Sequence, residues 1–276
     1  MLFSIITVCF NAGDKLKNTL ENILAQTHGD FEIIVKDGGS TDGSLKAIPQ
    51  DERIKVFSEK DKGIYDAMNV AVSKASGDYV IFMNCGDFFY DENVLKNTAE
   101  KMSDKPDSMI YYGDAYFASA KEIISQPKEI TESICYRHMP NHQSCFFARS
   151  LWDGDGLDTK YKIRADYDFF LRCYFEKNIR PAYLGITVAS YEGGGFSESD
   201  KKLDKAEHRE IVVKYMGEKK ANHYRRIMIL TLQPLRTWIA QKSIFAGAYN
   251  SIKKRSIHKA GAWHASRAWL REKENT

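Results

Sequence analysis

Several common signatures are missing from this chain. Its five cysteines (Cys9, Cys85, Cys135, Cys145, Cys173) include no C-x-x-C pair, so neither a zinc ribbon nor a disulfide framework is implied. Reduced thiols in a cytoplasmic setting are the economical reading. No run of 18 apolar residues occurs, and no transmembrane helix is expected. Residues 1–10 are apolar but lack the basic start and small-residue cleavage site of a signal peptide, and they read as a first strand. The stretch after that strand, Asn11-Ala12-Gly13-Asp14-Lys15-Leu16, is no G-x-G-x-x-G, which counts against a nicotinamide dehydrogenase. No G-x-x-x-x-G-K-[ST] exists, which excludes a P-loop enzyme. Internal repeats and low-complexity tracts are also missing.

The chain has little net charge, +3 over 276 residues, but the charge is unevenly divided. From Gly217 onward thirteen Lys and Arg face three Glu, about +10, which leaves about −7 for residues 1–216. A mildly acidic body argues against nucleic acid as its ligand. The basic tail also carries an apolar stripe through Leu235, Trp238, Ile239, Phe245, Tyr249 and Ile252. Such a stripe either lies on an anionic membrane surface or packs on the core as a helical subdomain. With 43% hydrophobic and 28% charged residues over the whole chain, it is globular.

The first hundred residues alternate strand and helix signals. Phe3–Phe10 is a buried strand, residues 14–26 show a helical stripe, and Phe31–Val35 is a second strand. Ser40 or Thr41 is placed to cap a short helix. Arg53–Ser58 is a third strand. A helix near 63–75 shows Ile64, Met68, Ala71, Val72 and Ala75 on one face and Tyr65, Asp66 and Asn69 on another. Tyr79–Met83 is the fourth strand. This alternation predicts a parallel sheet covered on both faces. Beyond about residue 105 the rhythm changes. Strands are expected at 108–117, 122–125, 143–148 and 183–190, and a helix over 165–178.

Parallel strands deliver their carboxyl ends to one edge of a sheet, where ligands gather. Four ends here are polar: Asn11, Asp37, the Glu59–Gly63 turn, and Asn84 with Asp87. Asn84 and Asp87 together suit a hard divalent cation set against phosphate oxygens. Asp37 precedes Gly38-Gly39, where backbone can approach a planar base and a carboxylate can accept from its ring N–H.

The ordered set Ile6–Asn11, Asp37–Gly43, Asp61–Asn69, Gly77–Asp87, His142-Gln143-Ser144, Ala165–Arg172 and Gly193–Ser197 resembles the family 2 glycosyltransferases. The resemblance implies an α/β GT-A fold. This is a Rossmann-like, mostly parallel central sheet flanked by helices, here with a C-terminal helical extension. It also implies inverting transfer from a nucleotide-diphosphate sugar, UDP-sugar favoured, assisted by Mg or Mn. The acceptor would be a glycan or lipid-linked glycan in bacterial surface-polysaccharide synthesis, O-antigen or capsule, on the cytoplasmic face of a membrane. Carried over by position, Asp166 is the base and Asp87 the metal ligand. Phe10, Asn11, Asp37, Gly38, Lys62, Gly63, Asn69 and Asn84 meet the donor, and His142 and Gln143 the acceptor. Two departures stand out. Asn84-Cys85-Gly86-Asp87 replaces Asp-x-Asp, which points to an Asn-x-Gly-Asp subgroup, and Ala165-Asp166 replaces Glu-Asp. If they disabled catalysis, the chain would be a sugar-nucleotide-binding or scaffold protein of the same fold. Asp168 lies two residues after Asp166 on the same helix, so the two face apart. The expected division is 1–104 for the donor half, 105–216 for the acceptor half and 217–276 for the basic tail.

Overall fold

The computed structural model describes residues 1–105, 108–193 and 200–230. The chain divides into two compact units, Met1–Gly217 and Glu218–Thr276. The first is built on one nine-stranded sheet. Its strands are β1 (Phe3–Cys9), β2 (Phe31–Asp37), β3 (Ile54–Ser58), β4 (Tyr79–Phe82), β5 (Phe88–Phe89), β6 (Ile110–Phe117), β7 (Glu122–Ile124), β8 (Cys145–Ala148) and β9 (Ala182–Tyr191). They lie in the order β3-β2-β1-β4-β8-β6-β9-β5, with β7 beside β6. The expected division at residue 104 falls inside this unit.

Every residue of β1 and β2 is buried. A parallel strand at the centre of a sheet is covered on both faces, so even the polar side chains of these strands (Ser4, Thr7, Glu32, Lys36 and Asp37) lie out of water. β1 pairs in parallel with β2 and β4, and β2 with β3. β8 then runs antiparallel to β4 and to β6, while β9 runs parallel to β6. The change of rhythm after residue 105 is this change of direction. Gly113 marks an irregularity where β6 and β9 shift register. A Cβ there would sit 2.5 Å from the Ile186 carbonyl oxygen, so only glycine fits.

The helices are α1 (Asp14–Leu24), α2 (Ile64–Ser73), α3 (Val94–Ser103), α4 (Glu132–Arg137), α5 (Ala165–Phe175) and α6 (Lys201–Leu230). α1 buries Leu16, Leu20 and Ile23, and α2 buries Ala67, Met68, Ala71 and Val72. New relative to the sequence reading are β5, α3, α4 and the part of α6 that precedes Gly217. α3 hides because only Val94, Leu95, Thr98 and Met102 turn inward, among Lys, Asn and Glu. Ser40 and Thr41 cap no helix. The turn at Ser44–Ala47 follows Gly43, and Asp42 Oδ1 accepts the Ser44 N–H at 3.0 Å. α6 carries non-helical backbone at Gly217 (φ 73°, ψ 159°), where the two units divide. In the second unit residues 218–230 are helical, and Asn222 Nδ2 donates to Glu218 Oε2. The stripe from Leu235 to Ile252 lies outside the described residues. Among the described residues no helix is long and apolar enough to cross a membrane.

At the amino edge of the parallel strands, Glu32 ties three segments together. Its carboxylate accepts from Ser4 Oγ (2.6 Å), from the Ser76 N–H (2.6 Å) and from Lys55 Nζ (2.6 Å). Burial opposes its charge, but the Lys55, Ser4 and Ser76 bonds outweigh that and bring the carboxyl from an ordinary 4.5 to about 2. A carboxyl lowered by folding stabilises the native state above its unfolded value and loses that contribution as pH falls through the folded one. Glu32→Gln should therefore melt below wild type at neutral pH. The gap should narrow from about pH 4.5 toward pH 2, and melting curves over pH 7–2 check it.

Candidate functional site

The carboxyl ends of β1 and β4 open onto a cavity of about 920 Å³. β1 runs straight into Phe10 and Asn11. Asn11 adopts a left-handed backbone (φ 48°), which asparagine tolerates better than most residues. Its N–H donates to Ser40 Oγ at 2.7 Å, and its Oδ1 accepts the Thr41 N–H at 2.9 Å. This bend turns Phe10 outward, 65% exposed, on the cavity wall. An exposed aromatic ring beside bare backbone is a stacking surface for another planar ring.

After β4 the chain makes a tight turn. The Asp87 N–H donates to the Asn84 carbonyl at 2.9 Å, and Gly86 supplies the positive φ of 97°. Thr19 of α1 holds this turn. Its hydroxyl accepts the Gly86 N–H and donates to the Asp87 carbonyl. The turn presents Asn84 and Asp87 to the cavity. Burial pushes the Asp87 carboxyl up to about 6, against the pull of His142 and a bond from Gln143. Asn84 Oδ1 is buried with no hydrogen-bond partner. A buried acceptor left unpaired is costly unless a ligand completes it.

His142 and Gln143 stand in a short turn just before β8. Because β8 is antiparallel to β4, the start of this strand, rather than its end, reaches the same edge. The His142 Nδ1 lies 3.5 Å from Asp166 Oδ2, and its Nε2 is buried without a partner. Asp166 opens α5. Its Oδ1 accepts the Tyr167 N–H at 2.8 Å, and the Tyr65 hydroxyl stands 3.4 Å away. Its Oδ2 is left facing the cavity side of His142. Asp168 has no exposed surface, and its Oδ1 accepts from Lys214 Nζ (2.9 Å) and the Tyr215 hydroxyl (3.1 Å) of α6. Two residues apart, the carboxylates face different surroundings.

The start of α5 is clamped from behind. Glu207 of α6, 5% exposed, accepts the N–H groups of Lys162, Ile163 and Arg164 at 2.7–3.0 Å. Arg164 forms a two-pronged pair with Asp204 at 2.7 and 3.0 Å. The Tyr65 hydroxyl donates to the Ile163 carbonyl. Nothing in the apolar periodicity of 201–216 marks Glu207, since its function is to meet backbone of a segment over forty residues away.

Seven of the residues singled out in the sequence line the cavity: Phe10, Asn11, Asn84, Asp87, His142, Gln143 and Asp166. Five stand off its wall. Asp37 is wholly buried, and its oxygens accept from the Gly39 and Ser40 N–H groups and from the Ser40 and Ser58 hydroxyls. Its carboxylate thus holds the loop that meets Asn11. A Cβ at Gly38 would meet Asp61 Oδ2 at 2.8 Å and Phe10 Cδ2 at 3.3 Å, so this glycine leaves room for both side chains. Asn69 bonds both the N–H and the carbonyl of Leu157, at 2.8 Å each, and its amide is fully engaged there. The Gly63 N–H donates to Asp61 and that of Lys62 to Asp66, closing the turn that starts α2.

Among the described residues no three His, Cys, Asp or Glu side chains gather into a cage. One carboxylate (Asp87) and the unpaired Asn84 oxygen remain. That set fits an ion such as Mg²⁺, which keeps several waters and is held largely by substrate phosphates.

The fold has close counterparts among solved structures. A Staphylococcus aureus TarS structure (residues 1–349, with UDP-GlcNAc) superposes with a TM-score of 0.58 at 19% identity, over 78% of this chain and 72% of that one. The mannosyltransferase PcManGT from Pyrobaculum calidifontis, with GDP-Man and Mn²⁺, gives 0.57 at 14% identity, over 90% and 83%. The architecture is the GT-A fold of glycosyltransferases. Residues 4–155 match the sequence profile of glycosyl transferase family 2, and the chain belongs to that family. A PGL/p-HBAD biosynthesis glycosyltransferase of Mycobacterium bovis is 33% identical over 205 residues, 72% of this chain and 80% of that protein. This chain is a glycosyltransferase.

Glu207→Ala would leave three backbone N–H groups without their acceptor. Unpaired buried groups cost roughly 1–3 kcal/mol each, so a loss of at least about 2 kcal/mol is expected after water enters. Chemical denaturation measures it.

Proposed function

We propose that this glycosyltransferase moves a sugar, with inversion, from a nucleoside diphosphate (uridine diphosphate) to a hydroxyl group of an acceptor glycan. This reading rests on Asp87, in the turn after β4, and Asp166, at the start of α5, opening on one cavity with His142 near both. In the proposed reaction the acceptor oxygen attacks the anomeric carbon as the bond to the diphosphate breaks. The bonding pair leaves on the diphosphate, and Asp166 takes the proton from the acceptor. The exposed ring of Phe10 stacks on the nucleotide base, with Gly38 leaving it space. Asp37, Lys62, Gly63 and Asn69 support the donor site from behind, through the loops that they hold. Asp87 and Asn84 would hold a divalent cation, Mg²⁺ or Mn²⁺, which when bound offsets the charge that develops on the leaving diphosphate. The Asn84–Asp87 turn would then define a subgroup with one metal-binding carboxylate.

The acceptor is proposed to be a glycan, or a lipid-linked glycan of a surface polysaccharide. The residues from 217 onward, with their excess of Lys and Arg, would bring the enzyme to an anionic membrane surface on the cytoplasmic side. The division into donor half, acceptor half and basic tail belongs to the same proposal. A binding protein without catalysis is the competing reading, and turnover decides between them.

Asp166→Asn should bind donor normally but transfer roughly 10²–10⁴-fold more slowly. Steady-state transfer, alongside calorimetric titration with the nucleoside diphosphate, reads both quantities. Near-normal turnover would remove Asp166 as base.

Asp87→Ala should melt like wild type and lose the Mn²⁺-dependent part of nucleotide affinity. Titrations with UDP and GDP, each with and without Mn²⁺, make the comparison. An unchanged response to the cation would place the ion elsewhere.

A further inference from the structure

The sheet order sets out the cavity edge as a ruler. Reading across it come β1 with Phe10, β4 with Asn84 and Asp87, and β8 with His142, then β6 and β9. β6 is antiparallel to β8 and β9 is parallel to β6, so both end at this same edge. Their last residues are Phe117 and Tyr191, directly paired in the ladder and therefore on one face of the sheet. The two rings stack, with centroids 5.3 Å apart and planes at 25°. Gly193 closes behind them, where a Cβ would meet the Phe117 ring at 2.7 Å. Tyr191 lines the cavity and Phe117 does not, so Phe117 backs a ring whose exposure is toward the site.

At ~4.8 Å per strand, β9 lies about 19 Å from β1 and about 10 Å from β8. The Tyr191 ring is thus displaced from Phe10 along the edge, beyond the His142–Asp166 pair. A flat ring there faces what lies past the reacting carbon. Asn141, His138 and Glu192, all able to hydrogen-bond hydroxyls, line the same cavity. A braced aromatic face with hydrogen-bonding groups in the same cavity matches a pyranose, which has an apolar C–H face and a polar rim.

We propose that Tyr191, braced by Phe117, is the platform on which the ring of the acceptor sugar stacks, and that it helps to select a pyranoside acceptor. This rests on the transfer reaction proposed above and adds the acceptor's position and chemical class. Tyr191 would be a specificity residue with no part in donor binding.

The test uses the full chain and a panel of octyl pyranosides (gluco, galacto and manno) as probes. Saturation-transfer NMR in the presence of UDP reports which probe protons touch the protein. Wild type and Tyr191→Phe should saturate the ring C–H protons of at least one probe. Tyr191→Leu, which keeps bulk but not the flat face, and Tyr191→Ala should weaken that probe about tenfold, the range of an aromatic stacking contact. Hydrolysis of UDP-sugar donors by water, which needs no acceptor, should stay at the wild-type rate in both variants. Contact confined to the octyl chain, or equal ring contact in wild type and Tyr191→Leu, would overturn the platform. Equal loss of donor hydrolysis and ring contact in the folded variants would overturn it too, since Tyr191 would then serve the donor. Failure of wild type to hydrolyse or transfer any nucleotide-sugar would count against the transfer reaction instead, and the NMR contact would still decide the role of Tyr191.

Discussion

The parallel pairing of β1 with β2 on one side and β4 on the other is the constraint on which the site depends. Cys9 stands opposite Asp37, and Ile6 opposite Phe82. Parallel neighbours begin and end together, so the loops after these strands must meet. Asn11 therefore finds Ser40 and Thr41, and Thr7 donates to the Met83 carbonyl at the root of the Asn84–Asp87 turn. A slip of one residue would send each side chain to the other face of a sheet covered on both sides. The continuous burial of β1 and β2 makes that slip prohibitive.

The second half reaches the same edge by a different route. β8 arrives head first and β6 and β9 arrive tail first, so His142, Phe117 and Tyr191 converge from strands of mixed direction. Asp166 comes from none of them. It sits at the start of α5, which the carboxylate of Glu207 holds in place through three backbone N–H groups. Charge-assisted bonds of this kind are stronger than neutral ones and directional. The precision of the proposed base thus derives from a helix that contributes nothing else to the chemistry described here.

Much of this was readable from the residues. The short apolar runs and helical stripes of 3–83 placed β1 to β4, α1 and α2 within a few residues, and polar strand ends marked the cavity edge. Asp37 and Asn69 show where such reading stops. Both sit where a ligand-facing residue belongs, yet Asp37 is enclosed by Ser40 and Ser58, and Asn69 by Leu157. Sequence position brings a side chain to a region, while its partners decide which way it faces. α3 and Glu207 were hidden for different reasons. In α3 the inward spacing is helical but carried by few apolar side chains among Lys, Asn and Glu, and the partners of Glu207 lie over forty residues away in the chain.

The Glu32 cluster and Arg149 mark the opposite margin of the sheet. Arg149 follows β8, its N–H reaching the Asp78 carbonyl and its Nε the Gly77 carbonyl. The reversal of β8 therefore gives one short strand two unlike ends, one beside the cavity and one among scaffold contacts. For protein engineering the two are not interchangeable. Chain inserted ahead of Cys145 would displace His142, while chain grafted beyond Arg149 would enter on the far margin. A reporter or surface tether belongs there, with the whole height of the sheet between it and the cavity.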